Sequence, residues 1–133
     1  MEKLHLISAD TLFYQPLDHP KMLIDGILSN GLAILSGDSK IGKSWMVLWL
    51  CLKISRGEPV WGLPTAQTDV IYLALEDNDW RIQQRMQELI DEPPKNLHFG
   101  FSCGKLGAEL EGQIKGVLED NPNTGLLFID TLQ

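Results

Sequence analysis

Gly31-Leu-Ala-Ile-Leu-Ser36, followed by Gly37-Asp-Ser-Lys-Ile-Gly42-Lys43-Ser44, is the stretch that decides how this chain reads. Its first six residues are an apolar run bounded by glycines, which predicts a short buried strand. The next eight match the pattern G-x-x-x-x-G-K-[ST]. Glycines at such spacing let the backbone curl so that its N–H groups face inward onto an anion. Lys43 to Arg56 runs without Gly or Pro and stops at Gly57, so a helix is expected there, and the positive end of its dipole adds to the same site. Lys43 supplies a movable charge for the terminal phosphates of a triphosphate, and Ser44 a hydroxyl for Mg²⁺. Candidate cofactor contacts are therefore Gly37, Asp38, Ser39, Lys40, Ile41, Gly42, Lys43, Ser44 and Trp45. Asp38 brings a negative charge close to the phosphates, and Lys40 offsets it.

Working outward, Val70-Ile-Tyr-Leu-Ala-Leu75 predicts a second buried strand and Leu97-His-Phe-Gly-Phe101 a third. Asn78 or Asp79 can cap a helix to about Ile90, with Ile82, Met86, Leu89 and Ile90 on one face. Pro93-Pro94 ends it. A further helix is expected over 106–120, with Leu110, Ile114, Val117 and Leu118 on one stripe, although Gly112 and Gly116 weaken it. Leu126-Leu-Phe-Ile129 is the fourth strand, ending in Asp130. Apolar strands alternating with helices imply an α/β fold with a parallel sheet flanked by helices. Residues 1–30, interrupted by Pro16 and Pro20, read as an N-terminal edge segment, its apolar cluster Met22, Leu23, Ile24, Ile27 and Leu28 packed against the edge of the domain over 31–133.

In a parallel sheet of this kind ligands bind beyond the carboxyl ends of the strands. The loop from Gly37, the pair Glu76-Asp77 and Asp130 all fall at such ends. A strand that pushes one carboxylate out at its tip can reach Mg²⁺, usually through water, which makes Asp130 the second metal-side candidate after Ser44. Hydrolysis also needs a group that orients or activates the attacking water, and Glu76 is placed for it. Asp77 reads more simply as a capping residue.

Composition bounds the rest. The chain has 133 residues, 44% of them apolar, enough for one domain with a core. No apolar run reaches the roughly 18 residues that a membrane span needs, and the N-terminus lacks the order of a secretory signal, so a cytoplasmic location and no membrane partner are expected. Acidic residues outnumber basic ones 18 to 11, for a net charge of −7, which argues against tight nucleic-acid binding by this stretch alone. Cys51 and Cys103 have no metal or redox spacing, and the three histidines are scattered.

The combination of Gly37–Ser44, Tyr72-Leu-Ala-Leu-Glu76-Asp77 with Arg81 and Arg85 beyond it, and Leu127-Phe-Ile-Asp130-Thr131 resembles the RecA-like P-loop ATPases of the RepA type. These are ring-forming replicative helicases of plasmids and mobile elements, similar to DnaB and KaiC cores. The resemblance implies a RecA-like fold binding ATP with Mg²⁺. Lys43 and Ser44 would hold phosphate and metal, Glu76 would activate water, and Asp130 would act as the Walker B carboxylate, with Arg85 over the adenine. It implies a hexameric ring and single-stranded DNA as partners of a longer protein. The chain stops at Gln133, just past the Walker B strand, so a truncated domain is expected. Its sheet would lack a central strand, and self-association or a rearranged sheet would follow. Two other readings stay open: a nucleotide-binding regulatory or assembly module without turnover, and a small P-loop kinase. The kinase reading is disfavoured because residues 93–125 contain no arginine for a lid.

Overall fold

The computed structural model describes residues 3–17, 22–29, 31, 33–36, 42–104 and 107–130. Asp38, Ser39, Lys40 and Ile41 of the expected phosphate loop, with Gly37 before them, lie outside the described residues, as do Leu106 and Thr131.

Among the described residues nine elements follow in order: α1 (Ala9–Tyr14), β1 (Met22–Ile24), β2 (Leu28–Ser29), α2 (Lys43–Arg56), β3 (Asp69–Ala74), α3 (Asp79–Leu89), β4 (Leu97–Gly100), α4 (Ala108–Asp120) and β5 (Thr124–Asp130). The main sheet is three-stranded and parallel, in the order β4-β3-β5. β3 is its centre because it is the most apolar strand: Val70, Ile71, Tyr72 and Ala74 are all buried. Its register sets Tyr72 opposite both Phe99 and Phe128, so an aromatic row crosses the three strands edge to face, at centroid distances of 5.9 and 6.4 Å.

α2 packs on this sheet. Val47, Leu48, Leu50, Cys51, Leu52 and Ile54 are buried, and they join Val70, Tyr72 and Ala74 in one core, as the nearly all-round apolar pattern anticipated. Gly57 ends α2 in the left-handed region (φ +68°), its N–H donating to the Ile54 carbonyl at 3.1 Å. Asn96 ties the far end together: its Nδ2 donates to the carbonyls of Ser55 (2.8 Å) and Thr68 (3.2 Å). α3 is capped by Asn78, whose Oδ1 accepts from the Arg81 N–H at 2.9 Å. It buries Ile82 and half-buries Met86. Of the stripe expected on α4 only Leu110 is buried, and Val117 and Leu118 are exposed.

One feature departs from the sequence reading. The strand expected over Gly31–Ser36 is not there: Gly31 and residues 33–36 belong to no strand, and Ile34 is 88% exposed. A strand-length apolar run becomes a strand only where a neighbour offers unpaired N–H and C=O groups. Both edges of β3 are already taken by β4 and β5, and residues 33–36 do not pair with the outer edge of β5. The N-terminal edge segment packs against the body. β1 and β2 pair antiparallel, and Leu23 and Ile24 are buried. The Ala66 N–H donates to the Leu23 carbonyl, and the Asp25 N–H to the Pro64 carbonyl, both at 2.9 Å.

Candidate functional site

Gly42 sits immediately before α2 with φ +82° and ψ +18°, a conformation that glycine adopts without the Cβ penalty of other residues. Its carbonyl accepts the Met46 N–H at 3.0 Å. The next residue, Lys43, is half-buried, and Ser44 follows in the first turn. The N–H groups of this turn have no intrahelical acceptor, so they are available to an anion, and the helix dipole favours one.

Ser44 Oγ donates to Asp130 Oδ2 at 2.7 Å, a bond between residues 86 apart in sequence. It joins the last residue of the G-x-x-x-x-G-K-[ST] motif to the tip of β5. The same carboxylate oxygen accepts from the Tyr72 hydroxyl at 3.0 Å. Asp130 is only 7% exposed, so these donors offset what burial of a carboxylate costs. Tyr72 is fully buried, and burial first, with the Asp130 charge beside it second, holds its phenol protonated far above the usual range. Sequence reasoning did not single out Tyr72 as part of the site. The available signal was a hydroxyl in an otherwise aliphatic strand, since a buried Tyr O–H needs a partner.

The β3–α3 turn reaches the same edge. The register pairs Ala74 with Asp130, and the Leu75 N–H donates to the Asp130 carbonyl at 2.8 Å. Glu76, the next residue, is exposed at this edge. Asp77 is not the helix cap. Its side chain is 8% exposed, accepts from Arg85 Nη1 at 2.6 Å and the Asn78 N–H at 3.3 Å, and forms an ion pair with Arg81 Nε at 3.0 Å. The Arg85 guanidinium carbon lies 5.1 Å from the centre of the Trp45 ring. Arg85 is therefore anchored between Asp77 and Trp45, with its side chain 20% exposed, rather than spread over a solvated helix face.

Hard oxygen donors at Ser44 and Asp130, side by side at a helix N-terminus, suit Mg²⁺ carried with a polyphosphate. A hollow of about 490 Å³ opens at the other end of α2 beside Trp49, Leu52 and Ile90. Its cations Lys53 and Arg56 are paired with Glu58 at 3.0 and 2.7 Å, and it shares no residue with the Ser44–Asp130 edge. Among the described residues no helix is long and apolar enough to cross a membrane.

A family model described as an AAA domain matches residues 2–133. No curated protein and no solved structure gave a match. The chain belongs to that AAA domain family of P-loop, AAA-type ATPases, and nucleotide binding is what this membership implies.

Proposed function

We propose that this AAA-domain chain binds ATP with Mg²⁺ at the N-terminus of α2 and hydrolyses it, as the nucleotide-binding part of a RecA- or RepA-like DNA helicase or replication-control protein. The observation that carries the reading is the 2.7 Å bond from Ser44 to Asp130, which unites the motif's hydroxyl with the strand-tip carboxylate.

In this reading the first-turn amides and the Lys43 ammonium hold the phosphate tail. Mg²⁺, when bound, neutralises charge on the β- and γ-phosphates, and Ser44 and Asp130 are the residues that would hold it. Tyr72 fixes the Asp130 carboxylate through its hydroxyl. Glu76 orients the attacking water and takes its proton. Arg85, with one guanidinium face on Trp45, offers its other face to the adenine. The partners are further copies of the chain, in a ring within the complete protein, with single-stranded DNA engaged by other parts of that protein.

A second reading, nucleotide binding without turnover in a regulatory or assembly module, is favoured by one observation: Glu76 is exposed rather than drawn in against Ser44 and Asp130. Two variants separate the readings. Lys43→Ala removes a charge-assisted contact of about 1.5–3 kcal/mol and weakens ATP binding about 10- to 100-fold by calorimetry. Unchanged affinity places the triphosphate elsewhere. Glu76→Gln abolishes turnover while leaving affinity intact, measured with and without single-stranded DNA. Equal background turnover in wild type and variant moves the chain to the second reading.

A further inference from the structure

We propose that Asp77, Arg85 and Trp45 form a clamp that holds the Glu76 turn against the first turn of α2, making Asp77 and Arg85 positioning residues for the water-orienting carboxylate. The inference rests on the reading of Glu76 given above.

Glu76 has no rigid element of its own, because β3 ends at Ala74 and α3 begins at Asp79. On its N-terminal side the turn is fixed by the Leu75 N–H bonded to the Asp130 carbonyl at 2.8 Å. On its C-terminal side the fixing point is Asp77. One of its carboxylate oxygens takes Arg85 at 2.6 Å and the other takes Arg81 at 3.0 Å and the Asn78 amide at 3.3 Å. A carboxylate 8% exposed between two guanidinium groups has one strongly preferred orientation, unlike a solvated surface pair. Arg85 then carries the constraint across to α2 by lying over the Trp45 ring, 5.1 Å from its centre and one residue beyond Ser44. The links run continuously from Asp130 to Ser44, Trp45, Arg85 and Asp77, and return to Asp130 through Leu75. Glu76 lies inside this closed circuit. Displacement of α2's first turn by a bound phosphate tail is thereby passed to Glu76, and the planar, stacking guanidinium of Arg85 suits that role as a lysine does not.

Hydrogen exchange on the full chain tests the clamp whether or not the chain turns ATP over. Asp77→Asn and Arg85→Met speed amide exchange over residues 75–79 about tenfold, with β3 and β5 unchanged. Arg85→Lys, which keeps the charge and loses the stacking plane, falls between wild type and Arg85→Met. Where turnover is measurable, both variants lower kcat about 10- to 100-fold, while ATP affinity stays within about threefold of wild type in Asp77→Asn, which removes no group that faces the adenine. Wild-type exchange over 75–79 in Arg85→Met overturns the clamp, and so does acceleration spread evenly over the sheet, which marks a merely structural contact. Loss of ATP affinity in Asp77→Asn matching that of Lys43→Ala overturns it too, because Asp77 would then be serving nucleotide binding rather than positioning Glu76. Unchanged ATP affinity in Lys43→Ala, by contrast, removes the phosphate site and leaves the exchange comparison standing.

Discussion

At the scale of single residues, the consequential contact is the one that Tyr72 makes. Its hydroxyl donates to Asp130 at 3.0 Å from a fully buried ring, so burial and the neighbouring carboxylate both disfavour the phenolate. A phenol whose folded-state pKa is raised contributes stability that is complete below its unfolded value and lost as pH climbs past it. The ordinary value is 10.0, so from about pH 10 upward urea unfolding shows stability falling by up to about 1.4 kcal/mol per pH unit from this group. The buried Cys51 thiol, pushed up by desolvation, adds a decline of the same sign that starts near its ordinary 9.0. Tyr72→Phe removes the part above pH 10 and keeps the Cys51 part. At neutral pH the same variant loses a hydrogen bond to a charged acceptor and is destabilised by about 1.5 kcal/mol. A profile in Tyr72→Phe that overlays wild type up to pH 11 contradicts this account.

At the scale of elements, what the sequence made legible divides by range. Lys43–Arg56 is bounded by two glycines in left-handed conformations, and a local signal of that kind gave the helix to the residue. Gly57→Ala forces a Cβ into φ +68° and to 3.0 Å from the Gln67 Cβ, so it destabilises the fold by about 1–2 kcal/mol in equilibrium unfolding. Gly57→Asn costs less despite its greater size, because Asn tolerates this region, and equal costs would mean that crowding rather than φ decides. Strand β3 was equally legible from its apolar run. The run at 31–36 looked the same, yet Gly31 and residues 33–36 are exposed and outside any strand, because strand formation depends on a partner edge that no local pattern encodes. The site divides likewise. Lys43, Ser44, Glu76 and Asp130 stood out by type and spacing, and Ser44 and Asp130 do meet. The roles of Tyr72 and of Asp77 with Arg85 and Trp45 depended on three-dimensional neighbours, and spacing alone made Asp77 look like a cap.

At the scale of the whole molecule, the sheet order β4-β3-β5 leaves β5 paired on one side only among the described residues. Leu126 to Ile129 on that strand are half-buried rather than buried. An edge of apolar residues with open backbone groups pairs with another chain unless charge prevents it. The large apolar residues of the N-terminal segment, with Leu4 90% and Leu6 91% exposed, push in the same direction. Against them stands a net charge of −7, which makes copies of the chain repel. The two effects answer salt differently. Repulsion between exposed charges is screened, with a Debye length of about 10 Å at 0.1 M, whereas backbone pairing and apolar burial are not weakened. Sedimentation equilibrium is therefore expected to show a mass above the monomer that rises with protein concentration and rises further with added salt. Single-stranded DNA leaves it unchanged, because a chain with a net charge of −7 repels a polyanion. A monodisperse monomer across the concentration range would show that the β5 edge is not a pairing surface. Association that salt weakened would mean that contacts between opposite charges hold the copies together, and the pairing would then have to be sought among groups such as the exposed Lys115–Glu111 pair on α4 rather than along the sheet.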